Sequence, residues 1–160
     1  MRLVIAAVGR LKEGPERALF ERYWDRLGAS GRSVGLGPLG LFEVPEGRAT
    51  SRAERVADEG ERLLAKLSGV DLKVALDERG RGQTTDAFTA FLRDRRDTGT
   101  GSIAFLLGGP DGHGPVVLRA AGLKLSLSPM TLPHGLARIV LAEQLYRAAT
   151  IMAGHPYHRT

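Results

Sequence analysis

After Ser102, the run Ile103-Ala104-Phe105-Leu106-Leu107 is apolar at every position. A strand with one face in water alternates polar and apolar residues, so this run reads as a strand buried on both faces. Burial on both faces requires a covering layer on each side of a sheet. Short apolar runs and amphipathic segments alternate along the rest of the chain, as such a layered arrangement needs.

Arg2 to Val8 is an apolar, β-branched run closed by Gly9. It is short and passes into Arg10 and Lys12, so it reads as a first strand rather than a leader. Pro15 suits the first position of a helix, which carries Leu19, Phe20, Tyr23, Trp24 and Leu27. The glycine-rich stretch 29–40 reads as a loop before a second strand at 41–44. Ser51 with Glu54 three residues on fits a capping box; the helix it opens directs Val56, Leu63, Leu64 and Leu67 inward. Residues 72–76 read as the third strand, 78–83 as an exposed basic loop and 85–96 as the third helix. Beyond the strand at 102–107 come a glycine turn at 108–114 and a short helix from Pro115. A fifth strand at 123–127, a loop at 128–134 and a last helix at 135–153 follow. The alternation predicts an α/β fold with a largely parallel sheet, as one domain over residues 1–160.

The chain has no cysteine, which excludes disulfides, thiolate zinc sites and thiol nucleophiles and suits a reducing compartment. No apolar run approaches membrane-spanning length, so a soluble, cytoplasmic protein is expected. The net charge of +5 allows an acidic partner. Beyond Asp97 the acids are Asp111 and Glu143, against Arg119, Lys124, Arg138, Arg147 and Arg159, and all four histidines lie there. This distribution suits a core that carries an anion-facing site.

In open parallel sheets ligands bind beyond the carboxyl ends of the strands. Three loops qualify: the one after Leu76, Gly108 to Gly114, and Ser128 to His134. Gly108 and Gly109 would let a ligand approach the backbone, or would simply make a tight turn. Neither a dinucleotide G-x-G-x-x-G nor a phosphate-binding G-x-x-x-x-G-K-[ST] occurs, and Glu43 without such a loop reads as a surface residue. His155 and His158 lack a nearby cysteine or carboxylate, so no metal site is expected. Glu143 and Arg147, four residues apart, read as a helix ion pair. His134 caps or packs at the mouth of the last helix, or faces the pocket. The centre of that helix, Ile139-Val140-Leu141-Ala142, is apolar all round, which predicts dimerisation through it or else deep burial within one chain. Past the helix stands Gly154-His155-Pro156-Tyr157-His158-Arg159-Thr160. Its imidazoles, phenol and guanidinium can stack on a base, hold a phosphate or move a proton, or merely solubilise a helix end.

Several strings carry a family resemblance. Leu106-Leu107-Gly108-Gly109-Pro110-Asp111-Gly112, Leu125-Ser126-Leu127-Ser128, Met130-Thr131-Leu132-Pro133-His134, Ala142-Glu143-Gln144-Leu145-Tyr146-Arg147-Ala148 and His155-Pro156-Tyr157-His158-Arg159 occur in order. With their spacing they resemble the RlmH family of SPOUT-class ribosomal RNA methyltransferases over the whole chain. The resemblance implies a SPOUT-type parallel sheet flanked by helices, with a C-terminal trefoil knot, and a homodimer. It implies S-adenosylmethionine held by Leu76, Gly108 and Leu127-Ser128-Pro129-Met130-Thr131-Leu132, largely through backbone groups. The reaction implied is methylation of N3 of a pseudouridine in helix 69 of 23S rRNA, within the assembled ribosome. His158 or Tyr157 would contact the uracil ring or assist removal of the N3 proton, with His134 a further candidate. Arg159 would hold a phosphate or stabilise the developing anion. Asp111 stands where the family favours glutamate, and Gly112-His113-Gly114 departs from its usual loop. A ribosome-binding protein without catalysis is the alternative from another class. A knotted methyltransferase acting on another RNA such as tRNA is the third, although no segment is left here for an added RNA-binding domain.

Overall fold

The computed structural model of the chain describes residues 1–157. Along them run β1 (Arg2–Val8), α1 (Pro15–Gly31), a 3-10 turn (Arg32–Val34), β2 (Leu39–Val44), α2 (Arg52–Ala65) and β3 (Leu72–Gly82). Then follow α3 (Thr85–Asp97), β4 (Ser102–Leu107), α4 (Pro115–Ala120), β5 (Leu123–Ser126) and α5 (His134–Met152). The strands form one sheet in the order β2-β1-β4-β3-β5, and every neighbouring pair is parallel. All strands therefore point the same way, and their carboxyl ends share one edge.

Side chains alternate across a strand, and the two faces of β1 and β4 enter different clusters. Leu3, Ile5, Ile103 and Phe105 pack with Phe20 and Leu27 of α1, Phe88 and Leu92 of α3, and Leu141 and Leu145 of α5. Val4, Ala6, Ala104 and Leu106 face Leu63, Leu67 and Val117 on the side of α2 and α4. Each fully buried leucine or isoleucine here contributes about 2 kcal/mol. The helix starts follow local chemistry. Pro15 occupies the first turn of α1, the Ser51 hydroxyl accepts from the Glu54 N–H at 3.2 Å, and the Thr84 hydroxyl accepts from the Ala87 N–H at 3.1 Å.

Three expectations are corrected. Residues 29–40 are not all loop: α1 continues to Gly31, and β2 begins at Leu39. A Cβ at Gly31 would lie 2.5 Å from the Leu36 carbonyl oxygen, so this glycine serves close packing rather than a turn. Residues 78–82 are not a loop but the continuation of β3. Leu76 and Arg81 both pair with Leu125 of β5, so residues 77–80 make an excursion between them. Gly80 permits this return, because a Cβ there would sit 2.7 Å from the Leu125 carbonyl carbon. Glu43 is not a surface residue. It is half-buried and ion-paired with Arg138, which is 1% exposed on α5 and also donates to the Gly9 carbonyl at 2.9 Å.

Candidate active site

The loops leaving β3, β4 and β5 enclose a cavity of about 770 Å³ at the carboxyl edge of the sheet. The wall after β4 is the glycine turn. Gly112 donates to the Gly109 carbonyl at 2.9 Å, and a Cβ at Gly108 would lie 2.7 Å from the Gly112 carbonyl carbon. Only glycine at position 108 lets the turn fold back this closely. His113 Nε2–H donates to the Leu106 carbonyl at 2.9 Å. Burial lowers its imidazole pKa, against opposing effects of that carbonyl and of Asp77.

The same turn is tied to α2. Arg55 Nε donates to Asp111 Oδ2 at 2.8 Å, Arg55 Nη1 donates to the Ala49 and Thr50 carbonyls, and Arg52 Nη2 donates to the Asp111 carbonyl at 2.9 Å. The hydrogen bond from Arg55 holds the Asp111 carboxyl below its usual range. Beyond β5 the chain turns through Ser126 Oγ, which donates to the Ser128 carbonyl at 2.8 Å, and Ser128 Oγ, which accepts from the Met130 N–H at 2.9 Å. Thr131 Oγ1 then donates to Glu78 Oε2 at 3.0 Å, joining this loop to the β3 excursion. Within that excursion Asp77 Oδ1 accepts from the Arg79 N–H at 2.8 Å.

Of the expected cofactor residues, Leu76, Gly108, Leu127, Ser128, Met130, Thr131 and Leu132 line this one cavity; Pro129 is exposed and does not. His134 also lines it, at the first residue of α5. Tyr157 does not line it. Its ring packs on Tyr146 at 4.7 Å between centroids, Arg147 lies over it at 4.8 Å, and its hydroxyl donates to Glu143 at 3.2 Å. The phenol is pushed up to about 12, first by burial and then by hydrogen bonding with Tyr23 and the Glu143 charge. Glu143 pairs with Arg147 as their spacing predicts, at 2.8 Å, and accepts from Gln144 as well. Tyr146 is twelve residues into α5 from His134, about 18 Å along the axis, so Tyr157 stands well away from its own cavity. His158 and Arg159 lie outside the described residues.

Arg52 lines the cavity too, unsignalled by the sequence, and so do Asp77, Glu78, Arg79 and His113, which fall in the loops the sequence pointed to without being given a role.

Fold and site together define a parallel α/β domain that takes a small ligand at the carboxyl ends of its strands. The family model described as "Predicted SPOUT methyltransferase" matches residues 1–158. A protein of Xanthobacter autotrophicus named "Ribosomal RNA large subunit methyltransferase H" is 48% identical over 159 residues, 99% of each chain. One of the same name from Brucella anthropi is 46% identical over the full length of both. The crystal structure of a "Probable Methyltransferase from Bordetella pertussis Tohama I" shares the fold, with TM-score 0.53 at 21% identity, over 92% of this chain and 96% of that one. The chain belongs to the SPOUT methyltransferase family.

Proposed function

We propose that this protein methylates N3 of a pseudouridine in helix 69 of 23S rRNA with S-adenosylmethionine, acting as a homodimer on the assembled ribosome in the cytoplasm. The observation that carries the reading is the composition of the cavity. Its floor is apolar, from Leu76, Leu107, Leu125, Leu127 and Leu132, while Asp77 and Glu78 stand at its wall. That set suits a nucleoside whose other end carries positive charge: leucines for the flat adenine, carboxylates for the cationic part. The relatives' name, an rRNA methyltransferase of the large subunit, supports the substrate class.

When bound, the cofactor supplies a methyl group already activated on sulfonium, and alignment with the acceptor is the main remaining task. Leu76, Gly108, Leu127, Ser128, Met130, Thr131 and Leu132 would hold it; the new N–C bond would form as the sulfonium C–S bond breaks, releasing the neutral thioether, and the N3 proton would pass to a base. The His134 imidazole, lining the cavity, is one base this protomer can offer. Tyr157 packs beside α5 away from its own cavity, while the proton-moving and phosphate-holding roles fall to His158 and Arg159, outside the described residues. Exposed Leu19 on α1 and Leu136 on α5, helices that pack together, support an interface there. The segment 127–133 runs from the edge strand β5 across the ends of β3 and β4 to α5, whose Arg138 bonds Gly9 at the end of β1. We read this crossing as the threaded part of a trefoil knot.

The test is methyl transfer from labelled S-adenosylmethionine to ribosomes lacking the modification, with the labelled nucleotide mapped. Label at N3 of the helix 69 pseudouridine is expected. Absence of transfer with cofactor bound refutes the reading in favour of a binding role or another RNA.

A further inference from the structure

The cavity carries two arginines that neither its floor nor the proposed chemistry uses. Arg52, at the start of α2, and Arg79, in the β3 excursion, both line it and are both exposed. They come from different elements, one beside the glycine turn and one beside the Thr131 contact.

Arg52 is 72% exposed at its side chain yet does not hang free. Its Nη2 donates to the Asp111 carbonyl at 2.9 Å, a contact spanning 59 residues of sequence, and its Nε lies 3.9 Å from the Asp111 carboxylate. That carboxylate is already engaged by Arg55 at 2.8 Å. Such an exposed bond adds little stability. Its consequence is positional: the guanidinium is fixed over the glycine turn with donors left over, since the fork has five N–H groups. Arg79 is placed by its backbone, through the bond from its N–H to Asp77 Oδ1. Its side chain has no partner among the described residues, whereas the neighbouring Glu78 is occupied by Thr131.

The two acids and the two arginines thus divide the cavity. Asp77 and Glu78 offer charge to a cation, whereas Arg52 and Arg79, cations themselves, can serve only an anion. A nucleotide whose base enters this cavity leaves its own and its neighbours' phosphates outside, because the backbone cannot follow the base in. We propose that Arg52 and Arg79 form a two-sided phosphate clamp, gripping the RNA strand on either side of the nucleotide whose base enters the cavity. This rests on the RNA methyltransferase reading above and adds the residues that engage the strand.

Phosphate contacts displace condensed counterions, so each leaves a signature in salt dependence of about 0.7 in the slope of log K against log[salt] for single strands. The measurement is equilibrium co-sedimentation with ribosomes lacking the modification, across a potassium chloride series at fixed magnesium. It compares wild type with Arg52→Gln, Arg79→Gln, the double variant and Arg79→Lys. Arg119→Gln, an exposed cation on α4, is the control. Each glutamine variant is expected to bind about fivefold more weakly and to lose about 0.7 of slope, and the double variant about twice that. Arg79→Lys is expected to keep the slope, and S-adenosylmethionine affinity by calorimetry should not change in the Arg79 variants. Unchanged slopes in both single variants overturn the clamp, as does an equal loss in Arg119→Gln. Because the readout is binding, a wild-type protein that binds ribosomes but transfers no methyl group defeats the activity while the slopes still decide the clamp. Wild-type protein that does not bind ribosomes overturns both.

Discussion

Replacing Arg138 by methionine tests how α5 is held against the sheet. The side chain is 1% exposed; Nη1 donates to Glu43 and Nη2 to the Gly9 carbonyl at 2.9 Å, while Nε has no partner among the described residues. Methionine keeps much of the alkyl stem and removes both bonds. The Gly9 carbonyl, on a buried residue, then loses its donor, a cost of about 1–3 kcal/mol. Glu43 is left charged without its partner, and breaking a buried pair from one side costs about 3–5 kcal/mol in all. Glu43 keeps 24% of its side-chain surface in solvent and can partly rehydrate, which places the expected loss near the lower bound, about 3 kcal/mol. For a domain of this size that is roughly 6–12 °C in Tm. The assay is thermal and urea unfolding at fixed protomer concentration, since association would shift both. Glu43→Gln in the Arg138→Met background removes the stranded charge and is expected to recover about 1 kcal/mol of the loss. A loss below about 1 kcal/mol in Arg138→Met, or costs that simply add in the double variant, would show that the pair does not anchor α5.

Three further outcomes are expected. Gly108→Ala puts a Cβ 2.7 Å from the Gly112 backbone, an overpacking of about 1–3 kcal/mol. It should weaken S-adenosylmethionine binding about tenfold by calorimetry, and equal affinity would show that the turn does not shape the site. His113 has a folded pKa below its unfolded value of about 6.5 because burial disfavours the charged ring. Its contribution to stability is therefore complete above about pH 6.5 and is lost as pH falls through the folded value. Thermal unfolding between pH 7.5 and 5.5 should fall less steeply in His113→Gln than in wild type, and parallel curves would remove His113 as the cause. His158→Ala should abolish methyl transfer and spare cofactor binding; full activity would eliminate the proposed role.

What could be read from the chain was whatever depends on neighbours in sequence. Ile103 to Leu107 had to be covered on both faces, Pro15 and Ser51 started their helices, and the cavity loops followed from where parallel strands end. Long-range partnerships left no local trace. Glu43 looked like a surface acid because Arg138, which buries it, is 95 residues away. The β3 extension looked like a loop because Glu78, Arg79 and Gly80 are what an exposed turn is made of; pairing with Leu125 decides otherwise. Gly31 suggested a break in α1, yet the absence of its side chain makes room for Leu36. Placement of Tyr157 against Tyr146 likewise depended on how the tail folds back along α5.

The double use of Leu125 by β3 has an evolutionary meaning. Because the strand leaves its partner at Leu76 and meets the same residue again at Arg81, the four positions between them sit outside the ladder's accounting. Three of them, Asp77, Glu78 and Arg79, can change in sequence without shifting the register of a neighbouring strand, while Gly80 must stay small for the chain to return past Leu125. Selection is thereby free to recolour one wall of the cavity while the sheet that supports it stays still.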